Sequence, residues 1–238
     1  MAKKSLCAYC GQNVGNTRDH VIPHSLFPRP LPQNMITVPA CEACNQKYAH
    51  HEDYLRDILT SDFRTAIHSA AKEVLDGPVR RSAKSNKSDF ARALAASKGK
   101  ASAYTNSGIY LGEYPAVLLD KSRVDLVFDK IIRGLYYYNF GKSLPDNYQV
   151  KTFHTTDQQI MKIWANDLGA AQYNGPFDAG DVLRYLFLSV ADDEGSTVWF
   201  LKFYGQWCTA GFTFSPDIDA EALTEVEQRS EAHDEAIN

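Results

Sequence analysis

Four of the five cysteines fall into two short pairs, Cys7 with Cys10 and Cys41 with Cys44, each spaced C-x2-C and the two separated by 30 residues. Two such knuckles supply four thiolates, the donor set of a closed tetrahedral zinc site, and structural Zn2+ is the chemistry this spacing predicts. The competing use of C-x-x-C, a redox pair at a helix start in a thioredoxin-like unit, wants one motif rather than two in a short segment. Cys208, between Trp207 and Phe212, reads as a buried apolar thiol. Between the knuckles stands Thr17-Arg18-Asp19-His20-Val21-Ile22-Pro23, which sets a carboxylate beside an imidazole. Asn34 follows in the intervening loop and Asn45 comes directly after the last cysteine. Arg18 is either a phosphate contact or half of a surface salt bridge. Asp19 and Asn45 have a structural alternative as polar caps of a small zinc-folded module. His50, His51 and Glu52 fit a metal or phosphate contact no better than a solvated helix face.

The elements that position these residues follow from composition. Thr17 to Pro23 is β-branched and proline-ended, the pattern of a short strand, and a strand sends Asp19 and His20 to opposite faces. A loop with Pro28, Pro30 and Pro32 leads through Asn34 to a second strand, Met35 to Val38, ended by Pro39. The two strands form a hairpin. From Glu42 onward the composition is helical, with Tyr48, Leu55, Ile58 and Leu59 recurring on one face. The order is strand, strand, helix, and zinc would pin the two ends together.

The string C-x2-C, then Asp-His-Val-Ile-Pro, then Asn, then C-x2-C-Asn resembles the zinc-bearing branch of the HNH endonucleases, whose ββα-metal fold carries one catalytic metal. Thirteen residues lie between His20 and Asn34 and ten between Asn34 and Asn45, and both spacings fit that family. The third letter of the family name is filled here by Asn, a common variant. The resemblance covers residues 5–58. It implies that Asp19 and Asn45 hold a divalent cation, Mg2+ or Mn2+ with Ni2+ as a further candidate. It also implies that His20 is the general base for an attacking water and that Asn34 fixes the orientation of the loop and imidazole. The residue types suit phosphodiester hydrolysis: the substrate is anionic, water must lose a proton, and a cation offsets charge building on the leaving oxygen. A site with two protein oxygens also leaves coordination positions open.

The net charge of −4 conceals opposed fields. Residues 1–100 hold fifteen Lys and Arg against nine Asp and Glu, whereas residues 216–238 hold eight acids against Arg229. A phosphate-bearing partner would meet the front of the chain. Within it, the stretch from Arg80 to Lys100 carries seven cations and only Asp89, so Arg80, Arg81, Lys84 and Lys87 are candidate nucleic-acid contacts. An ordinary basic surface loop is the alternative. The acidic tail reads as a solubilising segment or a phosphate mimic folded over the basic stretch.

His51 to Leu75 reads as continued helix, with Pro78 after Gly77 as a stop. Val124, Phe128, Ile131 and Leu135 mark an amphipathic helix over 121–138 with Gly141 beyond its end. Strands are predicted over 148–155, 182–190, 197–204 and 207–214, a hairpin turn over 192–195, and a short helix over 157–168. The run Tyr136-Tyr137-Tyr138 divides between base stacking and core, with helical spacing favouring core.

The predicted fold class is therefore α+β. A zinc-stabilised ββα-metal module at 1–58 is followed by a helical and basic segment at 59–113, an α+β domain at 114–215 and an acidic tail at 216–238. The arrangement resembles the extra domain that stands behind HNH modules in some bacterial and phage chains. The functional expectation is a metal-dependent HNH endonuclease acting on DNA, with RNA left open, and with a homodimer or protein partner engaged through the C-terminal domain. The alternative is a zinc-folded nucleic-acid-binding module without catalysis. Ordinary globular composition, no long apolar run and no h-region in MAKKSLC predict a cytoplasmic chain.

Overall fold

The computed structural model describes residues 5–105, 108–155, 173–190 and 193–216. Strand β1 (Thr17–His20) pairs antiparallel with β2 (Thr37–Ala40), in the register Asp19 opposite Val38 and His20 opposite Thr37. The second strand thus starts two residues later than the predicted Met35 and runs through Pro39. Pro39 is tolerated because its backbone faces away from β1: its carbonyl accepts from the Ala8 N–H at 2.8 Å, so the missing proline N–H removes no ladder bond. Helices α1 (Glu42–Lys47) and α2 (Ala49–Ser61) complete the ββα unit. The predicted apolar face is present, with Tyr48, Leu55, Ile58 and Leu59 all buried.

Beyond α2 the expected helix is broken. A 3-10 turn (Thr65–Ile67) precedes α3 (Ser69–Val74), which runs through a π-helical turn (Leu75–Val79) into α4 (Arg80–Lys84). Pro78 is inside that run and does not stop it, because the wider π turn passes the ring without requiring the N–H that proline lacks. Helix α5 (Asp89–Ala96) is capped by Ser88, whose hydroxyl accepts from the Ala91 N–H at 3.0 Å and itself donates to buried Asp57 in α2. The basic stretch then ends in a ribbon of β3 (Gly99–Tyr104) and β4 (Tyr110–Ala116), which periodicity did not reveal because nearly all of both strands is exposed.

Helix α6 (Lys121–Phe140) matches its predicted span, with the Gly141 N–H closing on the Tyr137 carbonyl. Of the tyrosine run, Tyr136 is buried and donates to the Glu194 carbonyl at 2.9 Å, while Tyr138 is 56% exposed. The remaining strands β5 (Gln149–Thr155), β6 (Asn174–Ala179), β7 (Leu183–Val190), β8 (Asp193–Phe203) and β9 (Trp207–Phe214) form one antiparallel sheet in the order β5-β9-β8-β7-β6. Strand β6 was not anticipated. Of the turn predicted over 192–195, Asp192 lies outside the described residues and Asp193 to Gly195 open β8, where Val190 pairs with Asp193 after a register shift. The helix expected at 157–168 and the acidic tail beyond residue 216 lie outside the described residues. Cys208 is buried in β9 as expected.

The main apolar core runs from Cys7 and Val21 through Val127, Phe128 and Ile131 of α6 to Trp199 and Phe203 of the sheet, and a smaller cluster gathers Leu188, Val198, Phe200 and Ala210. Helix α6 is the middle layer, and glycine permits close approach on each side of it. A Cβ on Gly211 of β9 would stand 2.2 Å from Ile132 Cδ1, and a Cβ on Gly134 of α6 would stand 2.8 Å from Val21 Cγ1. Val21 follows His20 directly, so the Gly134 contact sets the height of the ββα unit on α6. Gly134→Ala is expected to lower stability by about 1–3 kcal/mol through overpacking, despite alanine's better helix propensity. Denaturant titration of the two proteins measures this, and a stabilised variant would show that the contact yields freely.

Candidate functional site

The four knuckle thiols converge. The Sγ atoms of Cys7, Cys10, Cys41 and Cys44 all lie within 4.8 Å of one another, and this is the one such cluster of His, Cys, Asp and Glu among the described residues. Zinc–sulfur bonds of about 2.3 Å in a tetrahedron require sulfurs about 3.8 Å apart, so the set fits Zn2+. Local backbone explains the convergence: the Cys7 N–H donates to the Asn13 carbonyl at 2.8 Å and the Gly11 N–H to the Cys7 carbonyl at 2.8 Å, closing the first knuckle. Cys41 is the N-cap of α1 and Cys44 lies within its first turn. Asn13 Nδ2 stands 3.8 Å from Cys10 Sγ and 3.9 Å from Cys41 Sγ, directing an N–H at two sulfurs. Burial pushes the Cys7 and Cys44 thiols up, whereas Cys10, although desolvation opposes it, is drawn down to about 7 by the backbone N–H groups of Asn13 and Gln12.

Asp19 is held from below. Its Oδ2 accepts from the Tyr9 hydroxyl at 2.7 Å and from Lys130 Nζ at 2.8 Å. Lys130, from the middle of α6, is 1% exposed, and its ammonium also donates to the His20 carbonyl at 2.9 Å and to Glu52 Oε1. Burial and the Asp19 carboxylate raise the Tyr9 pKa far above its ordinary value, which keeps the hydroxyl a donor. With Oδ2 so engaged, no hydrogen bond among the described residues occupies Asp19 Oδ1. One carboxylate oxygen is anchored and the other is offered, the arrangement of a metal-binding carboxylate with its supporting shell.

Asn45 is oriented by a relay of hydrogen bonds. The Thr17 hydroxyl donates to the Ala40 carbonyl at 2.8 Å, so its oxygen can only accept from the Asn45 side chain 3.1 Å away. The group facing Thr17 is therefore the amide Nδ2, and the oxygen Oδ1 is turned outward. Thr17 and Asp19 are two residues apart on β1 and share a face, so this amide lies over the same strand face as the Asp19 carboxylate. Two oxygen donors, one charged and one neutral, suit a hard divalent cation and leave room for other ligands.

His20 is the last residue of β1. Its ring centroid is 5.7 Å from that of His24, which begins a 3-10 turn (His24–Leu26). Desolvation holds His20 below its ordinary pKa, with His24, Lys130 and Arg18 acting in the same direction and Asp19 opposing, so the neutral, proton-accepting ring is favoured. Arg18 donates to Thr37 Oγ1 at 2.6 Å, across the hairpin. Asn34 is exposed in the loop before β2, and no hydrogen bond joins it to His20.

The other predicted contacts divide. Arg80 pairs with Asp76 at 2.9 Å on the surface, whereas Arg81, Lys84 and Lys87 are exposed and have no ion pair among the described residues. Glu52, left open by the sequence, is the second acid on Lys130. His51 Nδ1 is 3.3 Å from Arg123 Nε, whose guanidinium covers the Tyr54 ring, so that imidazole braces α2 against α6. Lys130 and Tyr9 were not singled out from the sequence. A lysine among Val127, Phe128 and Ile131 on a buried helix face was the available signal.

Loss of zinc should unfold the N-terminal unit. Serine at Cys7, Cys10, Cys41 or Cys44 is expected to abolish stoichiometric zinc and destabilise severely, since structural zinc supplies about 10–16 kcal/mol in isolated finger peptides. Cys208→Ser should keep its zinc. Elemental analysis and thermal melts decide the matter, and zinc retained in the four variants would refute the assignment. Lys130→Met leaves two carboxylates without their shared counter-ion and is expected to cost about 3–5 kcal/mol. Adding Glu52→Gln should recover part of that loss, and a strictly additive double mutant would show that the two side chains do not interact.

No curated protein and no solved structure matches the chain. Residues 7–57, running from the first knuckle thiol to the middle of α2, match the family model described as HNH endonuclease. That segment contains the four thiols, Asp19, His20, Asn34 and Asn45, and the match supports nuclease activity and metal binding for it in general.

Proposed function

We propose that the protein is a metal-dependent endonuclease that hydrolyses phosphodiester bonds of DNA, with residues 1–58 as its catalytic module. The observation that carries this reading is the pair of oriented oxygens over one face of β1: Asp19 Oδ1, left over from the Tyr9 and Lys130 contacts, and Asn45 Oδ1, turned outward by Thr17. These two atoms would hold Mg2+ or Mn2+, with Ni2+ a further candidate. When bound, such a cation offsets negative charge on the phosphate and the leaving oxygen. His20, neutral and beside β2 at the end of β1, accepts the proton of the attacking water as its oxygen bonds to phosphorus and the ester oxygen departs. Lys130 holds the carbonyl of His20 and the carboxylate of Asp19 at once, which fixes base and ligand relative to each other. Asn34 lies in the proline-rich loop leading into β2, where it would order that loop against bound substrate. Arg18, Arg81, Lys84 and Lys87 supply exposed positive charge for the phosphate backbone, with Arg80 shared between that role and Asp76.

One observation favours the competing reading of a zinc-folded binding module without catalysis: Asn34 is exposed and makes no hydrogen bond with His20. A plasmid nicking assay with added Mg2+, Mn2+ or Ni2+ separates the two. His20→Ala is expected to reduce cleavage by about 10²–10⁴ while zinc content and DNA affinity stay near those of the parent protein. Asp19→Ala should inactivate through lost cation binding, with partial recovery at high Mn2+. Turnover unchanged in His20→Ala, or cleavage with no dependence on added metal, would reject the assignment.

A further inference from the structure

A cleft of about 580 Å³ opens beside the His20 face of the hairpin. Part of its lining is the 3-10 turn and the loop after it, with His24, Ser25, Pro28 and Arg29, and another part is the π-helical turn with Pro78 and, just beyond it, Arg81. Its volume falls within the roughly 300–1,000 Å³ of small-molecule sites. The charges along it sort by partner. Glu52 is committed to Lys130, and Asp53 is bound by Arg56, which also pairs with buried Asp57. Arg29 and Arg81 have no ion pair among the described residues, and Glu73 is the sole unpaired acid lining the cleft there. The Ser25 hydroxyl is sealed from solvent and has no hydrogen-bond partner among the described residues. The π turn shapes this wall, since it carries the chain past Pro78 and brings Gly77, Pro78 and Arg81 to the same side.

We infer that this cleft binds one nucleotide of the substrate strand next to the scissile bond, with its phosphate between Arg29 and Arg81 and its base against Pro28 and Pro78. Two unpaired guanidiniums lining one cleft suit a phosphate, which accepts bidentate hydrogen bonds from each. Proline faces and the apolar edge of Phe27 suit a base. Adjacency to the chemistry comes from His24, which lines the cleft and whose ring lies 5.7 Å from that of His20. The inference rests on the nuclease reading only in placing the nucleotide next to a scissile bond. Nucleotide binding by the cleft is measurable without any cleavage.

The test uses the full zinc-loaded chain without added divalent metal and titrates thymidine 5′-monophosphate, thymidine and inorganic phosphate by calorimetry. The mononucleotide should bind more tightly than either fragment. Arg29→Gln and Arg81→Gln, at exposed positions where zinc content verifies folding, should each weaken it by about tenfold or more. Arg184→Gln, which removes a surface charge paired with Asp178 and is not part of the cleft lining, should not change it. His20→Ala should bind the mononucleotide as the parent does. Affinity unaltered by both cleft arginine variants, or inorganic phosphate binding as tightly as the mononucleotide, overturns the inference even if DNA is cleaved. Arginine-dependent mononucleotide binding by a protein that never cuts DNA would uphold the pocket and reject the nuclease.

Discussion

The ammonium of Lys130 sits where water does not reach, and the site around it depends on that placement. Burying an ammonium is tolerable only when its charge and all three N–H bonds are answered. Here Asp19, Glu52 and the His20 carbonyl answer them. Three segments that meet only on folding are therefore tied to one atom: β1 through Asp19 and His20, α2 through Glu52, and α6 through Lys130 itself. Two carboxylates share a single ammonium, so the cluster retains negative character on the side where Asp19 offers its second oxygen. A cation approaching that oxygen meets an attractive field, while the lysine keeps the two acids from repelling each other apart.

The consequence is that the ββα unit is not self-sufficient. Zinc would close its two ends, but its core-facing surface is completed by α6 and the sheet behind it. Val21 packs where Gly134 has no side chain, the Tyr204 hydroxyl donates to the Leu26 carbonyl at 2.6 Å, and Phe27 lies 3.3 Å from where a Cβ on Gly180 would be. Each of these contacts falls within seven residues after His20. The geometry of the imidazole is thus set as much by the C-terminal half as by the knuckles, and a role for that half in holding the site follows directly from packing.

Charge along the basic stretch illustrates the difference between a sum and an arrangement. The net excess of cations from Arg80 to Lys100 is visible in the sequence, yet folding spends part of it: Arg80 on Asp76, Arg92 on Asp89 and Lys100 on Glu113. Such exposed pairs contribute little to stability, but they lower the charge available to a phosphate backbone. Arg81 differs from its neighbour Arg80 because the π turn directs it to the cleft.

Local chemistry accounts for what the sequence alone determined. Paired cysteines at fixed spacing, an Asp-His step in a β-branched run and a helix of periodic apolar residues are short-range signals, and the zinc knuckles, the hairpin, α2 and α6 all follow from them. The positions of Asp19, His20, Asn34 and Asn45 in one small unit were legible for the same reason. Tertiary structure decided what depends on partners far apart in the chain. Lys130 lies 110 residues from His20, and a lysine in a helical pattern reads as solvent-facing until a half-buried acid pair is known to await it. Pro39 and Pro78 read as stops because proline lacks a donor, and only the surrounding backbone shows that no donor is needed at either place. Strand β6 and the β3–β4 ribbon escaped because exposed strands have no buried face to impose an alternating pattern.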